Sequence, residues 1–324
     1  MANYKSSLNS QCFRIAFTKT IYTLLFFILI FSKNVCSEEN QLKDKNKDLC
    51  RPVIKKLNAF GQNPLARELS LLLLEASEKG CGKVVFDIVQ KGGLVNTRDK
   101  FANTPLIRAS ESGHLKIVKF LESKGANLEH LNLRGKTALL QAVKKNRKKI
   151  VKYLLSKNVD TNTRSLDNET PLSAASFNGN LNFVKLLLKK NANPNTVDET
   201  GKSAIIYASA KGFYDIVEIL IQNGVDANKK HGNDLTPLIW AAGSTDDTPQ
   251  IDAVKTLQVL IDNNAQIDHQ DNLGMSALMY AAKQNSLEIT KFLVESGANK
   301  NLKNNENKKA IELTKSKEIK LVLE

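Results

Sequence analysis

Residues that commonly build catalytic and metal sites are scarce in this sequence. Its 324 residues include only four histidines, four cysteines and one tryptophan, and aromatic residues make up 6% of the chain. HExxH, GxSxG and Walker sequences are absent, and the GCGK segment at 80–83 lacks the flanking glycine and hydroxyl residue of a phosphate-binding loop. We therefore predict a protein that is not an enzyme and uses no cofactor.

The histidines show no metal-ligand spacing. They fall in different segments and are predicted to be solvated loop residues: His114, His130, His231 and His269. No CxxC or His/Cys cluster accompanies them, so the sequence predicts no metal site.

Acidic residues are also in deficit. There are 33 aspartates and glutamates against 47 lysines and arginines, a formal net charge of +14. The densest basic segment is KKNRKK, which contributes Lys144, Lys145, Arg147, Lys148 and Lys149. It is either a solvated turn or a patch that binds an acidic partner such as an anionic membrane surface or polymer. Nucleic acid is disfavoured, because the aromatic residues that would stack on bases lie elsewhere in the chain.

An uncharged apolar run at 21–31, IYTLLFFILIF, follows a basic segment without acids. It is too short to span a bilayer, which takes about 20 residues, but it has the length of a signal-peptide core. Val35 and Ser37 supply small residues before a predicted cleavage after Ser37. Residues 1–37 are therefore predicted to be a signal peptide that exports the protein to the periplasm or out of the cell. The alternatives are an uncleaved membrane anchor and a helix of the folded domain.

Removal of residues 1–37 would leave two cysteines, Cys50 and Cys81. An exported protein meets an oxidising compartment that permits disulfides, and a bridge closing about 30 residues stabilises a fold by roughly 3 kcal/mol. A Cys50–Cys81 bridge and two free thiols are both compatible with the sequence. Residues 38–70 are predicted to be a charged leader followed by a helical N-terminal cap.

A repeated unit occupies the rest of the chain. It is clearest in NTPLIRASESGHLKIVKFLESKGAN, which begins at Asn103. Its threonine-like position recurs at intervals of 33 residues, with one interval of 40, after a degenerate first copy. About eight units with divergent terminal caps therefore fill residues 71–324. They start near residues 71, 104, 137, 170, 203, 236, 276 and 309.

Each unit carries the signals of two short helices. A hydroxyl residue before Pro105 or Pro171 is typical of a helix start, a small residue such as Ala109 lets neighbouring helices approach, and Gly113 breaks the chain. The segment LKIVKFL has the apolar spacing of a second helix, which the GAN sequence ends. Because one helix pair cannot bury both of its apolar faces, the pairs are expected to stack.

These units resemble those of the ankyrin-repeat family over about residues 71–324, since the spacing, the TPL-type turns, the alanine offset and the GAN or GVD ends agree in many copies. The resemblance implies an all-α solenoid of helix pairs with short β-hairpin loops. It also implies a concave face, formed by hairpin tips and first helices, that binds another protein. The histidine of the family's TPLH sequence is missing in every unit, so its hydrogen bond to the threonine cannot form. The Lys- and Asn-rich composition points to a bacterial type of the family.

The resemblance places candidate partner-binding residues on the hairpins and first helices. They are Phe101, Leu133, Arg134, Leu166, Phe177 and Leu273. Most are apolar where water is expected, which favours a protein partner.

Three successive units carry aromatic residues at one offset, namely Tyr207, Trp240 and Tyr280. Side chains at one offset line up along a stack. They form either an aromatic binding ladder, since Tyr and Trp are favoured interface anchors, or packing between neighbouring helices.

The 40-residue interval contains an insertion at 244–250. Asp246 and Asp247 suit the positive end of a helix dipole, and Thr248 with Pro249 would cap and start the following helix. The insertion is predicted to add about one helical turn and a short acidic loop. Because this unit carries Trp240, it is the predicted centre of binding.

These patterns predict a monomeric, exported scaffold that binds an unidentified protein on its concave face. The alternative is a basic surface-adhesive protein that holds an anionic polymer or a membrane surface.

Overall fold

The computed structural model describes residues 47–61, 65–243 and 249–324. These residues form helices and turns without a β-strand, which confirms the prediction of an all-α fold. The predicted signal peptide and most of the charged leader lie outside the described residues. Within the described ranges, no helix combines the length and the apolar character needed to cross a membrane.

The helices alternate between two parallel rows. The chain enters through α1 (Lys47–Ala59). The first helices of the successive pairs are α2 (Ala66–Lys79), α4 (Pro105–Ser112), α6 (Ala138–Lys144), α8 (Pro171–Phe177), α10 (Ala204–Ala210), α12 (Pro237–Ala242), α14 (Ala277–Lys283) and α16 (Ala310–Leu313). The second helices are α3 (Gly82–Gln90), α5 (Leu115–Ser123), α7 (Lys148–Ser156), α9 (Leu181–Lys189), α11 (Tyr214–Gln222), α13 (Gln250–Asp262), α15 (Leu287–Glu295) and α17 (Lys317–Leu323).

The first helices start at hydroxyl caps. Thr104 Oγ1 accepts a hydrogen bond from the Ile107 amide at 3.3 Å, and Pro105 occupies the first helical position. The same side-chain cap is made by Thr137, Thr170, Thr236 and Ser276. One of the free amides at each helix start is thereby satisfied. These helix starts therefore form without the histidine that the family places after the threonine.

One apolar core runs along the stack. Ala109 and its equivalents are fully buried where successive first helices pack against each other. The second helices turn residues such as Ile117, Val118 and Leu121 inward and leave the opposite side in solvent. Each helix pair thus buries its apolar sides only by stacking on its neighbours.

The hairpin loops between units are turns rather than pairs of strands. Isolated antiparallel bridges occur at three of them, Val197 with Ser203, His231 with Leu235 and Gln270 with Ser276. Successive tips are joined by backbone hydrogen bonds, as where the Leu133 amide donates to the Phe101 carbonyl at 2.9 Å. The predicted β-hairpin loops therefore contain bridges without regular strands.

A disulfide closes the N-terminal end of the stack. Cys50 on α1 and Cys81, which precedes α3, are both buried and bonded, with their Cα atoms 5.5 Å apart. Helix α2 runs continuously from Ala66 through residue 71 to Lys79, so it joins the end of the segment at 38–70 to the first unit.

The insertion lengthens one second helix. Helix α13 has 13 residues, whereas α11 and α15 have nine each, so about one turn is added. The helix begins at Gln250 with Pro249 before it, and the prediction that Pro249 lies in the first turn is wrong. Residues 244–248, including Asp246, Asp247 and Thr248, lie outside the described residues.

Candidate interaction surface

The predicted apolar tips are all exposed; three lie in a row on successive hairpins, and Leu273 is separated from that row by two hairpins. Phe101, Leu133, Leu166 and Leu273 are each more than half exposed, at 53%, 63%, 66% and 58%. The tip hydrogen bonds hold part of this row in register, since the Leu166 amide donates to the Arg134 carbonyl at 2.9 Å. Arg134 is itself exposed. We call the hairpin tips and the exposed parts of the first helices the hairpin face.

The tyrosines of the aromatic series are tied to their own hairpins. The Tyr280 hydroxyl donates to Asp271 at 2.6 Å, and the Tyr207 hydroxyl donates to Asp198 in the same way. Arg108 takes this place in an earlier unit and donates to Asp99 through Nε at 3.1 Å. In these three units, the residue four positions after the threonine-like position of the repeat therefore pairs with the residue five positions before that position.

This pairing fixes the charge state of the hairpin carboxylate. Burial alone would raise the pKa of Asp198, but hydrogen bonds from Tyr207, Thr200 and nearby backbone amides outweigh it and hold the pKa below its usual range. Burial, together with the hydrogen bond to Asp198, raises the pKa of Tyr207. Asp198 is therefore ionised and Tyr207 neutral at physiological pH. Each of these tyrosines offers a partner the face of its half-buried ring rather than a free hydroxyl.

The unit of Trp240 departs from this pairing. Its hairpin carries His231 where the others carry an acidic, amide or hydroxyl residue, and the Trp240 indole nitrogen is buried without a hydrogen-bond partner. His231 Nδ1 donates to the Gly201 carbonyl at 3.0 Å. The Trp240 ring lies 5.1 Å from Lys202 Nζ, within the range of a cation–π contact.

The histidines are structural links between units. His231 is buried, so its prediction as a solvated residue is wrong, and burial lowers its pKa. The others also bond carbonyl groups of the preceding unit: His114 to Glu78 at 3.0 Å, His130 to Ala102 at 2.8 Å and His269 to Asp234 at 2.8 Å. In the described part of the chain, no cluster of side chains could hold a metal ion.

A cleft opens on the hairpin face between the units that start near 170 and 203. Its volume is about 470 Å³. Phe177, 51% exposed, meets the Tyr207 ring edge-on with a centroid distance of 5.5 Å. The other lining residues are Lys144, Asp167, Glu169, Ser173, Ala174, Asn178, Asp198, Glu199 and Thr200. The cleft thus combines an aromatic wall with several carboxylates.

The carboxylates of the cleft differ in their availability. Glu169 accepts two hydrogen bonds from Lys144 at 2.8 Å. The exposed side chains of Asp167 and Glu199, by contrast, make no ion pair within the described ranges, and their hairpins are joined by the bond from the Glu199 amide to the Asp167 carbonyl. Two exposed carboxylates without an ion-pair partner among the described residues therefore line the cleft.

The KKNRKK segment does not form one basic patch. Lys144 pairs with Glu169, Lys145 lies 3.8 Å from Glu111, and Arg147 Nε donates to the Glu111 carbonyl at 2.8 Å. Lys148 and Lys149 are exposed at the start of α7 and make no ion pair in the described part of the chain. These last two belong to a different surface from the hairpin face.

Comparison with known proteins identifies the class. A family model described as ankyrin repeats, in three copies, matches residues 73–165, 159–231 and 221–304. The chain therefore belongs to the ankyrin-repeat family, whose members are generally scaffolds for protein–protein interaction.

A solved structure agrees with this assignment. The chain is similar to the crystal structure of the human ASB11 ankyrin repeat domain, with a TM-score of 0.60 and 27% sequence identity. The match covers 68% of this chain and 97% of that one. No curated protein matches the chain by sequence.

Proposed function

We propose that this protein is a non-enzymatic, exported scaffold of the bacterial type that binds another protein on its hairpin face, the concave side of the stack. The observation that carries the proposal is the cleft between Phe177 and Tyr207. It adjoins the row of exposed tips, and exposed apolar residues in a row are typical of protein-binding surfaces. Aromatic side chains are frequent anchors of such interfaces.

The chemistry of the cleft favours a partner segment with a lysine or arginine. The Asp167 and Glu199 carboxylates line it, are exposed and form no ion pair within the described ranges. The Phe177 ring already receives one ammonium group, since Lys211 Nζ lies 5.8 Å from its centroid. A partner cation entering between the ring and the carboxylates would gain attraction from both.

Export is supported by the disulfide and by the apolar run at 21–31. Disulfides persist in secreted and periplasmic proteins and are rare in the cytosol. Mass spectrometry of the mature N-terminus tests export directly. A mature chain that begins at Glu38 is expected, and a reduced chain that begins at Met1 in the cytosol would contradict this part of the proposal.

Binding is tested by crosslinking and pull-down of the natural chain from its own compartment, followed by affinity measurements with the recovered partner. Phe177→Ala is expected to weaken binding at least tenfold, the usual effect of losing an anchor side chain. Asp167→Asn with Glu199→Gln is also expected to weaken it, and more strongly at low salt.

Matched controls lie on the second helices. Tyr214→Ala removes an aromatic ring, and Glu218→Gln with Glu295→Gln removes two exposed carboxylates, in each case away from the hairpin face. The controls are expected to bind like the natural protein. Equal binding by the cleft variants and the controls would exclude the cleft as the binding centre. A Trp240→Ala variant that loses binding while Phe177→Ala retains it would move the centre to the unit of the insertion.

A further inference from the structure

A strongly basic surface lies on the second helices, away from the hairpin face. Helices α5, α7 and α9 together carry seven lysines and one glutamate, a net charge of +6, and contain no arginine. All seven lysines are exposed. We call them the lysine face: Lys116, Lys119, Lys148, Lys149, Lys152, Lys185 and Lys189.

The positive charge of the lysine face is not neutralised within the protein. Glu122, its one acid, accepts hydrogen bonds from the Tyr153 hydroxyl at 2.9 Å and from Lys157 at 2.8 Å. Those bonds, led by that from Lys157, hold the pKa of Glu122 below its usual range. Among the seven lysines, only Lys119 contacts a ring, that of Tyr153 at 5.3 Å, and none forms an ion pair within the described residues.

The three helices hold their lysines in a fixed two-dimensional array. Their opposite sides are buried in the core through residues such as Val118, Val151 and Val184. The bond from Tyr153 to Glu122 ties α7 to α5, and Lys190 Nζ donates to Asn158 Oδ1 at 2.9 Å beside the ends of α9 and α7. The lysines therefore spread across the stack as well as along each helix.

The lysine face ends abruptly at the next helix. The three following second helices, α11, α13 and α15, carry two lysines and six acids, a net charge of −4. At equivalent positions Lys116 is replaced by Asp215 and Lys119 by Glu218. The charge is thus concentrated in one region rather than spread over the basic chain.

We propose that the lysine face binds the surface of an anionic lipid bilayer. A two-dimensional array of positive charge matches an extended anionic plane, whereas a linear polyanion would require a groove or a single line of contacts. Lysine ammonium groups act as point charges without the planar geometry with which arginine recognises single phosphates. The face offers one ring, Tyr153, which is covered by lysines, so it lacks the aromatic platform on which nucleic-acid bases stack.

This inference is independent of the proposed function, because the cleft lies on the opposite row of helices. A molecule bound to a bilayer through α5, α7 and α9 would leave its hairpin face open. The protein would then present its protein-binding surface beside a membrane.

The test is a sedimentation assay of the natural, processed chain with vesicles of phosphatidylglycerol and phosphatidylcholine in equal parts. The variant Lys116→Gln/Lys149→Gln/Lys152→Gln/Lys185→Gln removes four positive charges from the lysine face. Each lysine near an anionic bilayer strengthens binding roughly fivefold, so the loss of four is expected to weaken binding by roughly several hundredfold. The matched control, Lys230→Gln/Lys303→Gln/Lys315→Gln/Lys320→Gln, removes the same charge from exposed lysines elsewhere and is expected to lose much less.

Several outcomes would overturn the proposal. Equal loss in the two variants would show that only net charge matters, and equal binding to pure phosphatidylcholine vesicles would show that charge does not matter. Tight binding to heparin or to single-stranded DNA without binding to the vesicles would show that the occupant is a polyanion. Circular dichroism checks that both variants are folded. Partner binding at the cleft is expected to survive in the lysine-face variant, which separates failure of this proposal from failure of the proposed function.

Discussion

The second helices of the two halves of the stack share a buried side and differ in their exposed side. Val118 in α5 and Val217 in α11 hold equivalent buried positions, whereas the exposed Lys116 of one corresponds to Asp215 of the other. The buried residues are constrained by the neighbouring helix pairs, and the exposed residues are not. Repeats with one packing scheme can therefore carry surfaces of opposite charge, and the function of the stack depends on the exposed positions.

The two ends of the stack also differ, and removing this difference should have the largest effect on stability. The N-terminal end is closed by the Cys50–Cys81 disulfide, whereas the short helices α16 and α17 at the C-terminal end pack without a covalent link. Cys50→Ser/Cys81→Ser is expected to lower the stability of the N-terminal end by about 3 kcal/mol. Hydrogen exchange should show faster exchange of amides in α1 to α3.

The effect should stay local, because each unit of a repeat stack contacts only its neighbours. Amides of α14 and α15 serve as the internal control and should keep their protection. Equal loss of protection at both ends would show that the stack unfolds as one cooperative unit and that the disulfide has no local role.

A smaller difference separates the first helices of the earlier units from those that follow. Ser110, Ser176 and Ser209 have buried hydroxyl groups without a hydrogen-bond partner, whereas Ala242 and Ala282 hold the equivalent positions in the next two units. A buried hydroxyl without a partner is destabilising. Ser110→Ala and Ser176→Ala are therefore each expected to raise the free energy of unfolding by about 1 kcal/mol.

Chemical denaturation measures this gain. Thr256→Ala is the contrasting variant, because its buried hydroxyl donates to the Asp252 carbonyl at 2.8 Å, and it is expected to lower stability. A loss of stability in Ser110→Ala would mean that a partner, such as a water molecule, satisfies that hydroxyl.

The smallest expected effect is the dependence of folding stability on pH. Burial lowers the pKa of His231 in the C-terminal half and of His114 in the N-terminal half below 6.5. Below about pH 6.5 these histidines are protonated more readily in the unfolded chain than in the folded chain. Their contribution to stability is therefore present above that pH and is lost as the pH falls through their lowered pKa values. The melting temperature is expected to fall by about a degree or two between pH 7 and pH 5.5, because a small loss of stability shifts the melting temperature of a chain of this size only slightly.

His231→Asn should reduce this fall, and His114→Asn combined with it should remove most of the remainder. Calorimetry at the two pH values measures the difference. An undiminished fall in the double variant would assign the pH dependence to other groups.

The architecture could be predicted because it depends on residues close together in sequence. Thr104 with Pro105 marks a helix start, and Ala109 marks the close contact between first helices. These local signals recur at one spacing, so each copy supports the others.

The surface was harder to predict because its contacts join distant residues. Lys144 is neutralised by Glu169, 25 positions later, so a basic run in the sequence is divided in the structure. Tyr207 binds Asp198 because the residue four positions after the threonine-like position contacts the residue five positions before it. This rule is recognised only when both positions are compared across the repeats. The lysine face was missed for the same reason, since its residues are spread over three units.

The disulfide at one end also has a mechanical consequence. If the two ends of the molecule were pulled apart, helix pairs would detach singly, starting where no covalent bond holds them. The chain between Cys50 and Cys81, a separation of 31 residues, would remain closed. Roughly 100 Å of extended chain would therefore not be released. While the bridge is oxidised, the N-terminal end of the stack cannot be fully extended under force.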